Sequence, residues 1–324
     1  MPLFTLDELA GAAAVVRSVV APTPAYAWPL LAKAAGAEVV VKHENHTPTG
    51  SFKARGGLVY VDAVLRAGGR PQGFVTATRG NHGQSVAIAA ARHGIAAVIV
   101  VPEGNSNEKN AAMQSFGGEL VTGGRDFDES RGVAAELVRQ RGYHFVPSFH
   151  RELVKGVATY AQELFASHHD LAAVYVPIGM GSGICGLITV RDLLGLRTEI
   201  VGVVADNAPA FALSFAAGHP VQTNSARTFA DGIACRDPLA EALEIVRRGA
   251  ARVVRVGEEE IAQAIRLYYT ATHNLAEGAG AAPLAALMKE KARYAGRRVG
   301  LILTGGNIDM PVLAQILRGE TPAA

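Results

Sequence analysis

Short runs of apolar, often β-branched residues alternate with longer stretches of helical periodicity along nearly the whole chain. These runs predict strands at Glu38–Lys42, Phe74–Ala77, Ala97–Val101, Glu119–Thr122, Ala173–Pro177, Ile200–Val204 and Val299–Leu303. Helices are predicted between them, among others at Gln84–Arg92, Asp128–Arg141, Glu152–His168 and Glu259–His273. Because the strand runs are apolar at nearly every position, we expect helices to cover both of their faces. The pattern predicts an α/β chain with largely parallel sheets.

The composition is that of a folded protein with no basic surface. The chain has 324 residues, 49% hydrophobic and 19% charged, enough to bury a sizeable core in one large or two smaller domains. Its 31 basic and 29 acidic side chains leave a net charge of +2, which argues against nucleic-acid binding. Cys185 and Cys235 lie in no metal or redox spacing, which predicts buried, reduced thiols. No secretory signal or membrane-spanning run is evident near the N-terminus, so we expect a cytoplasmic protein without a membrane partner.

Three glycine-rich turns follow predicted strands. They read Thr78-Arg79-Gly80-Asn81-His82, Gly179-Met180-Gly181-Ser182-Gly183 and Thr304-Gly305-Gly306-Asn307. Ligands of open α/β sheets bind beyond the carboxyl ends of the strands, so we expect the three turns to line one cleft. The middle turn is the strongest candidate anion site, because its glycines let backbone N–H groups approach an oxygen cluster at the start of a helix. Its spacing is neither the dinucleotide fingerprint nor a P-loop, and any one such turn can also be purely structural.

A lysine stands at the start of a predicted helix in a fourth motif, Thr49-Gly50-Ser51-Phe52-Lys53-Ala54-Arg55-Gly56-Gly57. A lysine in the first turn opposes the helix dipole, so we expect its amine to have a depressed pKa, especially if Phe52 shields it from water. Such an amine suits covalent chemistry with a carbonyl group. For any single lysine, a solvated side chain without a function is the alternative.

The four motifs, in this order, resemble the fold-type II pyridoxal-phosphate enzymes, and more narrowly the serine/threonine dehydratase and serine racemase group. The resemblance extends from Thr23 to Asp309. It implies a tryptophan-synthase-β-like fold with two domains, each with a largely parallel sheet flanked by helices. A large cofactor-binding domain is expected at residues 1–69 and 151–324, and a small mobile domain at residues 70–150. A homodimer is also implied.

The resemblance further implies a role for individual residues toward pyridoxal 5'-phosphate and a small amino-acid substrate. Lys53 would hold the cofactor covalently and exchange protons at the substrate's Cα. Further cofactor contacts are implied for Phe52, Asn81 (ring hydroxyl), Gly179, Met180, Gly181, Ser182 and Gly183 (phosphate), Glu277 (ring) and Thr304 (pyridine nitrogen). Substrate contacts are implied for Thr78, Arg79, Gly80, Asn81, His82 and Gly232.

Arg79 departs from the family pattern. Related dehydratases usually carry a small residue here, and serine racemase carries a serine that protonates Cα on the face opposite the lysine. Arginine cannot act as a general acid at neutral pH, so racemisation is disfavoured. A cation at a helix N-terminus is unfavourable alone, so we expect Arg79 to have a partner. That partner is either a nearby surface acid or the side chain of a substrate larger than serine, such as an aryl-serine or 3-hydroxyaspartate.

A second departure concerns metal binding. Several relatives bind a divalent cation through acidic residues just after a strand that matches Ile200–Val204. In this chain those positions hold Val204 and Ala210, and the one nearby carboxylate, Asp206, is out of register. One carboxylate does not make a hard-cation site, so no divalent metal is predicted here. Monovalent cations stay open.

These features together predict a pyridoxal-phosphate-dependent dehydratase, or ammonia-lyase, of amino-acid catabolism. A threonine hydroxyl facing the pyridine nitrogen, rather than a carboxylate, makes the ring a moderate electron sink, which favours prompt β-elimination over transamination. The enzyme would remove water and then ammonia from a 3-hydroxy-amino acid to give a 2-keto acid. Serine, threonine, an aryl-serine, 3-hydroxyaspartate or a hydroxyectoine-related compound are the candidate substrates. A β-replacement enzyme or C–S lyase and a non-catalytic cofactor carrier are the alternatives.

Overall fold

The structure is a computed structural model that describes residues 2–125 and 127–323, without the side chains of residues 127 and 128. Its strands are β1 (Ala25–Ala27), β2 (Glu38–His43), β3 (Gly73–Ala77), β4 (Ala96–Val101), β5 (Gly118–Thr122), β6 (His144–Phe145), β7 (Ala173–Pro177), β8 (Glu199–Ala205), β9 (Ala250–Val256) and β10 (Arg298–Leu303). Its α-helices are α1 (Leu6–Arg17), α2 (Pro29–Ala35), α3 (Lys53–Arg66), α4 (Asn81–Ala91), α5 (Asn107–Ser115), α6 (Phe127–Arg141), α7 (Arg151–Val157), α8 (Thr159–Ser167), α9 (Ser182–Leu193), α10 (Ala210–Ala217), α11 (Ala240–Gly249), α12 (Glu258–Thr272), α13 (Gly278–Lys289) and α14 (Met310–Leu317).

The chain divides into two compact units, each with its own sheet. The first unit comprises the residues up to Leu6, Pro22–His46 and the residues from Ala158 onward, and its strand order is β1-β2-β10-β7-β8-β9. All of these neighbours are parallel except β1, which runs antiparallel to β2. The second unit comprises Asp7–Ala21 and Thr47–Val157, with an all-parallel sheet in the order β5-β4-β3-β6. The predicted α/β class with largely parallel sheets is confirmed.

Helix α3, which begins with Lys53, belongs to the second unit. Two glycines let it approach its neighbours closely. A Cβ at Gly57 would lie 2.4 Å from the carbonyl oxygen of Ser85 in α4, and one at Gly56 would lie 2.9 Å from that of Leu153 in α7. The observed division therefore differs from the predicted one, which grouped residues 1–69 and 151–324. The mobility predicted for the smaller domain stays a prediction.

The central strands of the first unit are buried at every position of β7 and at all but the first position of β10. Helix α13 contributes a run of buried alanines and leucines to the same core. Each fully buried branched aliphatic side chain contributes about 1.5–3 kcal/mol to stability. The core therefore fixes the carboxyl ends of β7 and β10, where two of the glycine-rich turns begin.

The prediction of one continuous helix over Glu152–His168 is wrong. The structure has two helices there, α7 ending at Val157 and α8 beginning at Thr159. The break lies at Ala158, whose backbone packs so closely on α9 that a Cβ at Gly186 would lie 3.1 Å from the Ala158 Cα. The apolar periodicity runs through Ala158, which is why the sequence predicted one helix. Across the described residues, none of the helices combines the length and apolar character needed to cross a bilayer.

Candidate active site

The Lys53 segment is a tight turn that leads directly into α3. The Ser51 N–H donates to the Thr47 Oγ1 at 2.9 Å, and that hydroxyl donates to the Ser51 carbonyl at 2.7 Å. The Gly50 N–H donates to the Thr47 carbonyl at 2.9 Å, which closes the turn. Lys53 then starts the helix, and its Nζ lies 5.1 Å from the centroid of the Phe52 ring. The predicted helix start is confirmed, and the aromatic ring lies beside the amine.

The Gly-Asn-His turn joins β3 to α4 in the same unit as Lys53. The Thr78 N–H donates to the Val100 carbonyl at 3.0 Å, and its buried side-chain Oγ1 accepts from the Gly80 N–H at 3.0 Å. Helix α4 begins at Asn81, so the N–H groups of the turn lie at a helix N-terminus. Such groups attract carboxylates and other anions. The turn has the chemistry expected of a receptor for the substrate carboxylate.

The imidazole of His82, in the same turn, has a strongly lowered pKa. Burial and, to a lesser extent, the charge of Lys53 lower the pKa of His82 to about 3, so its imidazole is neutral near pH 7. The Nε2 atom of His82 is buried and has no hydrogen-bond partner among the described residues. An unpaired buried nitrogen costs about 1–3 kcal/mol, so a ligand group that pairs with it would recover that cost.

The mid-chain glycine turn connects β7 to α9 in the first unit. Gly181 precedes the helix with φ of +97°, a backbone conformation that glycine adopts without strain. A Cβ at Gly179 would lie 2.4 Å from the Gly232 carbonyl oxygen, so the two backbones touch. The Gly183 carbonyl accepts from the Tyr160 hydroxyl at 2.8 Å. The turn therefore presents backbone N–H groups at the N-terminus of α9, and the hydrogen bond from Tyr160 fixes its backbone at Gly183.

The late glycine turn and Glu277 lie together in the first unit. The Glu277 N–H donates to the Gly305 carbonyl at 3.0 Å, and Glu277 and Thr304 are 4% and 2% exposed. A Cβ at Gly280 would lie 2.5 Å from the Gly305 carbonyl oxygen, so α13 packs directly on this turn. A Cβ at Gly232 would lie 3.8 Å from the Glu277 Oε1. The backbone of Gly232 therefore connects the mid-chain turn to the Glu277 carboxylate.

The predicted site residues thus fall into two groups. The first unit holds the group Gly179, Met180, Gly181, Ser182, Gly183, Gly232, Glu277 and Thr304, and the second unit holds Phe52, Lys53, Thr78, Arg79, Gly80, Asn81 and His82. Their chemistry fits pyridoxal phosphate. A lysine, a buried imidazole nitrogen without a partner, and a glycine cradle that a Cβ would crowd are the groups that such a cofactor and its substrate need. The individual roles stay predictions.

Three neighbours of these groups were not predicted from the sequence. They are Tyr160 behind the mid-chain turn, Cys235 with its Sγ 4.0 Å from the Met180 Sδ, and Lys109 beside Gly80. Tyr160 and Cys235 carry no local signal, because only the packing of distant segments brings them to the turn. Lys109 follows β4 in the polar stretch Gly104–Asn110, and a polar stretch after a strand is a signal that could have been used.

Residues 204–210, which match the metal site of several relatives, make other contacts in this structure. Val204 is buried in β8, Ala210 begins α10, and the Asp206 carboxylate pairs with Arg255 at 3.0 Å. Within residues 2–125 and 127–323, no group of three or more His, Cys, Asp or Glu side chains is arranged to hold a metal ion. The two cysteines are buried and unpaired with each other, as predicted.

Comparison with known proteins supports the same family from nearly the whole chain. A family model described as pyridoxal-phosphate dependent enzyme matches residues 16–305. An L-threonine ammonia-lyase of Thermotoga maritima is 32% identical over 316 residues, which are 97% of this chain and 78% of that protein. The structure of the processed form of threonine deaminase isoform 2 from Solanum lycopersicum matches with a TM-score of 0.88 and 28% identity, over 98% of this chain and 95% of that chain. A pyridoxal 5'-phosphate-dependent aspartate racemase matches with a TM-score of 0.90 and 27% identity, over 95% and 97% of the two chains. This chain belongs to the fold-type II pyridoxal-phosphate-dependent enzymes, and pyridoxal 5'-phosphate is its cofactor.

Proposed function

We propose that this enzyme is an ammonia-lyase that removes water and then ammonia from a 3-hydroxy-amino acid of the threonine and serine type. The observation that carries the proposal is that Lys53 and the turn Thr78–His82 stand at the starts of two helices of one unit, α3 and α4, which pack closely where Gly57 meets Ser85. The similarity to an L-threonine ammonia-lyase along 97% of the chain supports the same reaction class.

The residues that would hold the cofactor follow from their chemistry. The N–H groups of Gly179 to Gly183 suit a phosphate, because they lie at the start of α9 where the helix dipole favours an anion. Asn81 would donate to the ring hydroxyl, and the Thr304 hydroxyl would face the ring nitrogen. A hydroxyl cannot keep that nitrogen protonated as a carboxylate would. When bound, the cofactor supplies an electron sink for the bond-breaking at Cα.

The substrate would be held and deprotonated by residues of the second unit. The N–H groups of Gly80 to His82, with Thr78, would fix the α-carboxylate, and the Gly80 N–H would exchange its bond to the Thr78 Oγ1 for one to the carboxylate. The Lys53 amine would take the proton from Cα. The C–H bond at Cα and the C–O bond at Cβ break, and the hydroxyl leaves with a proton as water. Hydrolysis of the resulting enamine consumes one water and releases ammonia and a 2-keto acid.

Racemisation is the competing reaction that the likeness to an aspartate racemase brings into consideration. Racemisation needs a second acid that protonates Cα from the face opposite the lysine. Arg79 occupies the position at which the serine racemase pattern has its serine, and a guanidinium keeps its protons at neutral pH. We therefore infer that elimination prevails.

The test is a product assay on the purified holoenzyme with L-serine and L-threonine. We expect stoichiometric ammonia and 2-keto acid, with no enantiomer of the substrate on a chiral column. Product that forms only from O-acetylserine with a thiol, or from cysteine, would assign a β-replacement enzyme or C–S lyase instead. No turnover of these compounds or of the other candidate substrates, an aryl-serine, 3-hydroxyaspartate and a hydroxyectoine-related compound, would assign a cofactor carrier.

We also propose a cytoplasmic homodimer. Apolar side chains are exposed on the first unit, where Tyr26, Leu30 and Met310 are 53%, 57% and 70% exposed. A contiguous patch of such side chains favours a protein interface, whereas single ones are ordinary on the surface of a monomer, so the proposal requires that these side chains meet in one patch. Sedimentation velocity of the holoenzyme should give the mass of two chains, and a species of one chain at micromolar concentration would contradict the proposal.

A further inference from the structure

Residues 218–239 connect α10 to α11 with almost no regular structure. All of them are described, and they contain only one short 3-10 turn, at Asp231–Ile233. Their inner part is nevertheless buried, since Ala230 and Ile233 are 0% and 1% exposed. An irregular segment of this length lacks a regular ladder of backbone hydrogen bonds, so contacts with other elements have to fix its path.

The buried part of this connection lies between the mid-chain turn and the start of α13. A Cβ at Gly278 would lie 2.7 Å from the Ala230 Cβ, and one at Gly232 would lie 2.9 Å from the Ala279 Cβ. On its other side, the Gly232 carbonyl touches the backbone of Gly179. Because the fit is this close, a shift of the connection displaces either the turn at Gly179 or the first residues of α13.

The carboxylate of Glu258 binds the residues that lead into this close fit. Its Oε2 accepts from the Thr228 hydroxyl at 3.0 Å and from the Phe229 N–H at 3.2 Å. The Thr228 Oγ1 in turn accepts from the Ala230 N–H at 3.1 Å. The second oxygen of Glu258 accepts from the Asn207 side chain at 3.4 Å. The bonds to the carboxylate have a charged acceptor, which makes them stronger than bonds between neutral groups.

Glu258 is one of three acidic residues in the first turn of α12, together with Glu259 and Glu260. The helix dipole favours acids at this position, so the sequence alone gives all three the same explanation. Their contacts differ, however. Glu260 accepts from the Gly257 N–H at 2.7 Å and so caps the helix, and Glu259 pairs with Arg266 at 2.9 Å. The carboxylate of Glu258 instead binds the connection before α11.

We propose that Glu258 is a positioning residue for the cofactor. By fixing residues 228–230, it keeps the Gly232 carbonyl against Gly179, and so keeps the mid-chain turn in the shape that presents its N–H groups to the phosphate. This inference rests on the proposed placement of the phosphate at the N–H groups of Gly179 to Gly183. In this role Glu258 neither touches the cofactor nor exchanges a proton, so its removal loosens the cofactor site without deleting a group that binds.

Dialysis of the holoenzyme against graded pyridoxal phosphate tests the proposal in Glu258→Ala, Glu258→Gln and the control Glu259→Ala. The control removes an equal charge from the same helical turn, and it breaks the ion pair with Arg266 instead of the bonds to the connection. A hydrogen bond to a charged group changes an equilibrium constant by about tenfold or more. The Kd should therefore rise about tenfold in Glu258→Ala, less in Glu258→Gln, which keeps an acceptor, and stay at the wild-type value in Glu259→Ala.

The visible circular dichroism of the bound cofactor separates positioning from general stability. The signal per mole of bound cofactor reports how rigidly the protein holds the ring, and a loss of folding free energy alone does not change it. We expect a reduced signal in Glu258→Ala and a wild-type signal in Glu259→Ala. The thermal midpoint of each apoprotein measures the destabilisation.

Thr228→Val tests the route from Glu258 to the mid-chain turn, because it removes the hydroxyl and keeps the shape of the side chain. It should also raise the Kd, and the rise in the double variant with Glu258→Ala should fall short of the product of the two single rises. If Glu258→Ala does not fold, Glu258→Gln and Thr228→Val make the same test. A wild-type Kd and dichroism in folded variants, an equal loss in Glu259→Ala, or independent effects in the double variant would overturn the proposal. If no candidate substrate releases ammonia, the proposed reaction fails, and the Kd and the dichroism still decide the role of Glu258.

Discussion

Replacement of Gly181 by alanine tests whether the mid-chain turn holds the cofactor through its backbone. Gly181 has φ of +97°, and a Cβ there would lie 2.9 Å from the Ala242 Cβ. A matched control lies beyond the other end of α9, where Gly195 has φ of +63° and no described atom lies within 4 Å of the added Cβ. Both substitutions force an L-residue into the left-handed region, and only the first one also crowds a neighbour.

The expected magnitudes follow from these two terms. The left-handed backbone costs about 1–2 kcal/mol at either position. Overpacking against Ala242 adds about 1–3 kcal/mol at Gly181 alone. Without the cofactor, the Gly181 turn can relax away from the strained conformation, and phosphate binding has to restore it. If the free energy of cofactor binding becomes less favourable by about 2 kcal/mol, the cofactor affinity falls roughly 30-fold.

Equilibrium dialysis of the apoprotein against pyridoxal phosphate measures this affinity directly. We expect a Kd raised about 30-fold or more in Gly181→Ala and a wild-type Kd in Gly195→Ala, with the thermal midpoint of each apoprotein as the measure of general destabilisation. A Gly181→Ala protein that binds the cofactor as tightly as the wild type would refute the assignment of this turn as a backbone phosphate site.

Three further predictions concern the lysine, the buried histidine and the metal. Lys53→Ala should lose both the covalent cofactor link and the elimination, whereas the exposed Lys289→Ala should keep both; borohydride reduction that labels another lysine would contradict the assignment. The pKa of His82 is lowered from 6.5 to about 3 in the folded protein, so between these pH values the unfolded chain binds a proton at His82 and the folded chain does not. The free energy of unfolding should therefore decline as the pH falls from 6.5 to about 3. Urea unfolding of His82→Asn should show a flatter decline, and a slope equal to that of the wild type would exclude His82 as its source. Activity should survive chelator treatment with the cofactor retained, because Val204 and Ala210 cannot ligate a cation; rescue of a chelated enzyme by magnesium would overturn this.

Most of the strands could be predicted from the local amino-acid sequence. Strand β7 has the predicted bounds Ala173–Pro177, and the other predicted strands extend by one residue at one or both ends. Burial on both faces leaves a continuous apolar run in the sequence, so these central strands needed no tertiary information. The edge strands β1 and β9 were not predicted. Both are partly exposed, with mixed polar and apolar positions, and only their pairing with β2 and β8 makes them strands.

The sequence by itself determined the fold class, the family and the order of the motifs, because glycine turns, a lysine at a helix start and apolar runs are all local signals. The membership of α3 in the second unit is a tertiary result, since it depends on the close approach of Gly56 and Gly57 to helices distant in sequence. The same holds for the neutral state of His82 and for Lys109 beside Gly80. Desolvation and proximity between segments distant along the chain are properties of the packed molecule, and no local pattern of residues encodes them.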